Sequence, residues 1–328
     1  MTRLVLGGYG SALGLVHLEP EGFGPPVEVA PAPSPSFVIA SPDGRFVYAA
    51  LEGDEGRVGA WAVTDNRPWP SLGEQSTGGT APCHLALSPD GRWLVTANYT
   101  SGSVSVHPVH GDGSLGARTD LVEHRGDQGP QADRQDGPHA HQVVFVDGGL
   151  LVCDLGLDAV VGYHLDDGRL TEVARSAMPA GSGPRHLVLD GVTAYVLGEL
   201  SSTVTVCDVA GLVLRPVESV SSRAPDAHGE NTAAEVLVVG DQVLASNRGD
   251  DTVAVFNRNG RALTVEAIVP CGGAGPRWMA VVGDAVLVAN ERSQDVVQLV
   301  PDGASWTAAD RLEWPSPTCG AVLAEDAS

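Results

Sequence analysis

The stretch Ala81–Val109, APCHLALSPDGRWLVTANYTSGSVSVHPV, decides the fold. A proline opens an apolar run, a Ser-Pro-Asp-Gly turn follows, a second apolar run ends in polar residues, and an alternating Val-rich run closes the unit. Short apolar runs punctuated by Gly and Asp read as antiparallel strands joined by tight turns. The unit recurs as SPSFVIASPDGRFVYAALEGDEGRVGAWAV (34–63), GPHAHQVVFVDGGLLVCDLGLDAVVGYHL (137–165), GPRHLVLDGVTAYVLGELSSTVTVCDV (183–209), TAAEVLVVGDQVLASNRGDDTVAVF (232–256) and GPRWMAVVGDAVLVANERSQDVVQLV (275–300). A fourth, more polar stretch follows each copy, such as RLTEVARSAMP (169–179) or ALTVEAIVP (262–270). The prolines that open copies, Pro35, Pro82, Pro138, Pro184, Pro276 and Pro317, repeat at roughly the 40–50-residue period of propeller blades. Four short antiparallel strands per period is the blade pattern.

The ends set the blade number. SPTCGAVLA (316–324) reads as a first strand with nothing after it, and TRLVLGGYG (2–10) with LGLVHLEP (13–20) as second and third strands with nothing before them. Joined, they make a seventh blade, and the closure removes two exposed sheet edges. The expected fold is therefore all-β, a seven-bladed β-propeller closed by N- and C-terminal strands, with residues 1–328 as one domain. An open two-domain β protein would leave the matching terminal fragments unexplained.

Composition agrees with this reading. Of 328 residues 43% are hydrophobic and 18% charged, with 41 Gly and 23 Pro, which suits many tight turns and no long helices. The net charge of −22 repels nucleic acid backbones and anionic membranes, so neither is expected as a partner. All 19 basic residues are Arg, and the absence of Lys excludes Schiff-base chemistry and lysine-held pyridoxal phosphate. Coding bias accounts for that absence without any functional reason. Five cysteines, Cys83, Cys153, Cys207, Cys271 and Cys319, are widely spaced without a CxxC, which suggests neither a disulfide framework nor a zinc knuckle. The N-terminus carries glycine-interrupted apolar residues without a cleavage site, and no run of 18 apolar residues exists, so a cytoplasmic location is expected. Oligomeric state is not legible.

Blade topology collects the unusual side chains. The first strand of a blade lines the channel and the second runs antiparallel beside it, so the start of one and the end of the other face the same mouth. First-strand starts supply His84, His139 with His141, Arg185 with His186, Glu235, and Arg277 with Trp278. Second-strand ends supply Asn98 with Tyr99, Asp154, Glu199, Asn247 with Arg248, and Asn290 with Glu291. His84 or His186 taken alone reads as an ordinary half-buried residue, and His17, His107, His110, His124 and His164 fall at outer positions or in loops. The three arginines Arg185, Arg248 and Arg277 need carboxylate partners or an anionic ligand. Glu199, Glu235 and Glu291 could supply the former as an inert ion-pair ring. The polar connection from about His110 to Pro138 is either a flap over the mouth or a solvated insertion.

These residues resemble the seven-bladed propeller lactonases, which include bacterial 6-phosphogluconolactonases and fungal carboxymuconate cyclases. The resemblance covers nearly the whole chain and rests on GPQADRQDGPHAHQVVF with CDLGLDAV, GSGPRHLVL with GELSSTVTV, NTAAEVLVVG with SNRGDDTVAVF, and GAGPRWMAV with VANERSQDVV. It implies a cleft at one channel mouth whose catalytic or substrate-binding set falls here on His139 or His141, Arg185, Glu199 and Arg248. The same positions follow from blade topology. SPDG-type turns survive only in the first two blades, later ones being trimmed to VDGG, LDG and VVGD, away from the expected cleft.

Lactone hydrolysis needs a water, a base and oxyanion donors. Glu199 or a neighbouring His is the expected base, and Arg185 and Arg248 the donors. His84, Asn98, His186, Glu235 and Arg277 are expected to contact a small anionic lactone, first among them 6-phosphogluconolactone, without cofactor or metal. No G-x-S-x-G elbow is present and Cys83 has no evident orienting partners, so no covalent nucleophile is implied. A lactone-forming cyclase acting on an unsaturated dicarboxylate would use nearly the same groups. A metal-dependent sugar lactonase could draw ligands from Glu235, Asn247, Asp154 and Asn290, but Arg185 and Arg248 would repel the cation. A non-catalytic binding platform predicts apolar residues at the mouth, where only Tyr99 and Trp278 qualify, and no WD dipeptide supports the WD40 scaffold.

Overall fold

The computed structural model describes residues 2–19 and 22–323, and these form 29 strands and no helix. Six four-stranded sheets begin with Pro35–Ala40 (blade 1), Pro82–Leu87 (blade 2), Ala140–Val146 (blade 3), Pro184–Asp190 (blade 4), Ala233–Val239 (blade 5) and Pro276–Val282 (blade 6). Blade 7 pairs the C-terminal strand Pro317–Leu323 with Thr2–Gly8, then Ala12–Glu19, which in turn pairs with Gly22–Phe23 and Val27–Pro31. Its closing register runs from Arg3 opposite Leu323 to Gly7 opposite Cys319. The expected terminal fragments thus pair as read, although Pro20 and Ala324 at their ends lie outside the described residues. First strands of consecutive blades touch all the way round, including blade 7 against blade 1, so the ring is closed.

The second strands are apolar through most of their length because each is buried on both faces. In Gly149–Asp154, Leu150 and Val152 pack with Val95 and Val104 of blade 2, whereas Leu151 and Cys153 pack with Leu187 and Val196 of blade 4. Alternate residues of one strand therefore bond two neighbouring blades. Full burial of each such side chain stabilises the ring by roughly 1.5–3 kcal/mol.

One irregularity recurs in every blade. Near the start of the first strand an extra residue stands against the second strand: Ser36, Cys83, His141, Arg185, Arg277 and Thr318. In blade 5 Ala234 and Glu235 together oppose the interval holding Ser246. A β-bulge re-aims a side chain that regular pleating would send elsewhere. Seven bulges at one level aim seven side chains at one axis.

Candidate active site

The bulge residues Ser36, Cys83, His141, Arg185, Glu235, Arg277 and Thr318 line one narrow cavity, together with Phe37, Glu52, His186 and Trp278. Above them lies a second ring, formed by the residue just past each second strand: Tyr9, Glu52, Tyr99, Leu155, Glu199, Arg248 and Glu291. The last residue of the strand itself faces the other way, as strand pleating requires. Asn98, expected to contact substrate, is instead fully enclosed, its amide donating to the carbonyl and hydroxyl of Ser103 at 3.4 and 3.2 Å. Asn247 donates likewise to the Ser222 carbonyl and Asn290 to Asp295, so these residues tie turns.

Glu199 is the centre of the mouth. Its Oε1 accepts from Arg134 at 2.6 Å, and its Oε2 lies 3.1 Å from Arg185 Nε and 3.0 Å from Arg248 Nη2. Burial pushes its carboxyl up, but Arg248, Arg185 and Arg134 outweigh that effect and hold it at about 2. Arg185 and Glu199 side chains are each 4% exposed, whereas Arg248 is 17% and Arg134 37% exposed. The outward-facing guanidiniums are therefore Arg134 and Arg248. Beside Arg248 a cleft opens between blades 5 and 6, lined also by Asn231, Gly275, Glu291 and Arg292.

Arg134 was absent from the sequence-derived set. It sits on the connection between blades 2 and 3, whose first half makes the outer strand Asp120–Glu123 of blade 2 and whose second half crosses the mouth as a strap. The expected flap is thus confined to about residues 124–138. Buried Gln135 fastens it, donating to the Leu155 carbonyl at 2.8 Å and to Asp158 at 2.9 Å, and Asp158 also accepts from the amides of Gly181 and Gly183 ahead of Arg185. Gly129 N donates to the Gly156 carbonyl at 2.9 Å, and a methyl group on Gly156 would collide with the Gly137 carbonyl. His124, assigned no role from the sequence, is buried and pairs with Asp154 at 2.6 Å. Three arginines lie between His110 and Pro138, and strand topology cannot say which reaches the mouth.

The two histidines of the PHAH run part company. His139 stacks on Tyr99, and its ring nitrogens face the Tyr99 carbonyl and Asp136, each at 3.0 Å, so both are engaged. His141 is the bulge residue in the cavity, with Nδ1 lacking a partner among the described residues. Burial first, then the charges of Arg185 and neighbours, keep its imidazole neutral well below the ordinary histidine range. Below it, His186 donates or accepts at Glu235 (2.7 Å), and His84 packs on Phe37 and edge-on to His186. Neither His84 nor His186 reaches the mouth. Arg277 bonds the Tyr9 hydroxyl at 2.8 Å and Glu291 at 3.2 Å.

No group of three His, Cys, Asp or Glu side chains among the described residues is arranged to hold a metal. Of the mouth carboxylates, Glu199 and Glu291 are paired with arginine, and Glu52 accepts from the Tyr9 hydroxyl at 3.4 Å. What the arrangement offers is anion recognition: guanidinium donors at a solvent-facing opening, above a neutral imidazole.

A closed ring of seven blades, with arginines converging on a carboxylate at one mouth, defines the chain as a seven-bladed β-propeller. The family described as "Lactonase, 7-bladed beta-propeller" matches residues 18–319, and the chain belongs to it. It is 31% identical over 305 residues to the 6-phosphogluconolactonase of Bacillus subtilis (strain 168), covering 87% of this chain and 86% of that one. Among solved structures, a Lactobacillus plantarum protein superposes with a TM-score of 0.92 at 27% identity, covering 99% of this chain and 100% of that one. The periplasmic gluconolactonase of Pseudomonas aeruginosa does so with a TM-score of 0.90 at 28% identity, covering 98% and 99%. Membership makes the chain a lactonase-type enzyme. No helix among the described residues is long and apolar enough to cross a membrane.

Proposed function

We propose that the protein hydrolyses a sugar lactone bearing an anionic group, with 6-phosphogluconolactone as the foremost candidate, which would place it in the pentose phosphate pathway. The observation that carries this reading is the single carboxylate of Glu199 surrounded by Arg134, Arg185 and Arg248, two of which face solvent. In a protein of net charge −22, such a mouth suits an anionic substrate. Arg134 and Arg248 hold the substrate's anionic group and the oxyanion that forms when water adds to the lactone carbonyl. Glu199 keeps their forks converged. Both oxygens of Glu199 are taken up by Arg134, Arg185 and Arg248, so the general base is His141, which lines the cavity and whose Nδ1 has no partner among the described residues. Water adds to the carbonyl carbon, His141 takes its proton, and ring opening returns a proton to the leaving alkoxide. All five cysteines are free thiols, consistent with the cytoplasmic location we assign.

The test is the enzyme-dependent rate above spontaneous hydrolysis on 6-phosphogluconolactone, gluconolactone and an unsaturated dicarboxylate, with and without excess EDTA. Chelator-insensitive excess hydrolysis supports the proposal. Turnover of the dicarboxylate alone would favour the cyclase reading, and turnover of nothing the binding platform.

A further inference from the structure

Beneath Glu199 runs a buried line of polar groups that ends on the carboxyl group of Glu235 in the wall of the narrow cavity. Arg185 Nε lies 3.1 Å from Glu199 Oε2. Its Nη1 donates to the Ala234 carbonyl and lies 3.3 Å from His186 Nε2. His186 Nδ1 is 2.7 Å from Glu235 Oε1, which also accepts from the amide of Val236 at 3.1 Å. The Glu235 backbone amide in turn donates to Ser246 Oγ at 3.0 Å, which fixes the bulge that carries it.

The hydrogen-bond inventory dictates the protonation pattern. A guanidinium has donors only, so His186 Nε2 facing Arg185 Nη1 must present its lone pair. The ring proton then sits on Nδ1, where Glu235 Oε1 accepts it. Burial, followed by the Arg185 charge, keeps His186 from taking a second proton. The edges of His84 and His141, 5.5 and 5.2 Å away between ring centroids, close the remaining sides of the imidazole. Without an acceptor at Nδ1 a buried N–H is left unpaired, and the single contact with Arg185 must outweigh that cost for the ring to keep this tautomer. With the proton on Nε2 instead, two donors would face each other and the guanidinium would lose one of its three anchors.

We propose that Glu235 and His186 are positioning residues: Glu235 fixes the His186 tautomer, and His186 holds the Arg185 guanidinium against Glu199. Neither touches substrate, which revises their expected role as substrate contacts. The kinetic consequence rests on the lactonase reading, but the tautomer does not.

The experiment is ¹⁵N NMR of histidine-labelled protein, with His186 assigned by His186→Gln, alongside steady-state kinetics. The wild type and Glu235→Gln, whose amide oxygen still accepts, are expected to show the Nδ1–H tautomer. Glu235→Leu is expected to shift His186 to Nε2–H and to lower kcat at least about tenfold with KM changed less than about threefold, because misplacement rather than lost binding is the cause. Glu235→Gln should stay within about threefold of wild-type kcat, and Glu235→Leu/His186→Leu should be no worse than His186→Leu, since both act through one contact. An Nε2–H tautomer or an imidazolium in the wild type overturns the proposal without any variant, as does full kcat in Glu235→Leu. Because the tautomer is read whether or not lactone turns over, failure of this arrangement and failure of the lactonase reading are distinguishable.

Discussion

Replacing Glu199 by Gln isolates the electrostatics of the mouth. The side chain keeps its size and hydrogen-bonding oxygen but loses the charge that Arg134, Arg185 and Arg248 converge on. Those arginines hold the carboxyl at about 2 against an ordinary 4.5. At ~1.4 kcal/mol per pH unit, the displacement corresponds to about 3 kcal/mol of stability at pH 7. This agrees with the 3–5 kcal/mol typical of breaking a buried ion pair. The sign follows from linkage: a depressed carboxyl stabilises the fold above pH 4.5 and loses that contribution as pH falls through about 2. Urea unfolding of wild type and Glu199→Gln under reducing conditions should therefore differ by about 3 kcal/mol at pH 7, and by less than about half of that at pH 3. A difference below about 1 kcal/mol at pH 7, the value of an exposed ion pair, would refute the reasoning, as would an equal difference at both pH values.

Other consequences follow from the same geometry. Arg134→Ala and Arg248→Ala remove outward-facing donors, so each should lower kcat/KM by about 10²-fold, and each should also lower Tm because it takes one partner from the buried Glu199 carboxylate. If His141 is the base, its imidazole must be neutral, so kcat should fall with decreasing pH at a point below 6.5 and be flat above it. His141→Leu should cost about 10²–10⁴-fold and abolish that limb, and a pH limb unchanged in the variant would assign the proton elsewhere. Gly156→Ala pushes on the Gly137 carbonyl and so on the strap, and it should lower kcat/KM in the way Arg134→Ala does. Unaltered kinetics would mean that the strap tolerates displacement.

The ring could be read from the sequence because its second strands must be apolar through most of their length, and prolines recur near the start of every blade but the fifth. Even the split blade was legible, since the termini supply complementary strands. Placing Arg185, Glu199 and Arg248 at one mouth required only the antiparallel pairing of first and second strands. What pairing alone missed was the bulge. One inserted residue in each first strand swaps which neighbour faces the channel, so Cys83 rather than His84 lines the cavity, whereas pleating of the second strand turns Asn98 away from the opening. The bulge also separates His141 from His139. Arg134 was hidden for another reason: a strap without repeat or periodicity is positioned by tertiary contacts such as Gln135 with Asp158, which no local pattern encodes.

The claim that these arginines serve lactone hydrolysis is tested most directly by the rate of 6-phosphogluconolactone hydrolysis above the spontaneous background, measured for the wild type and for Arg134→Ala combined with Arg248→Ala. The account predicts a large excess rate in the wild type that the double variant loses while remaining folded. An excess rate that survives removal of both guanidiniums would contradict it.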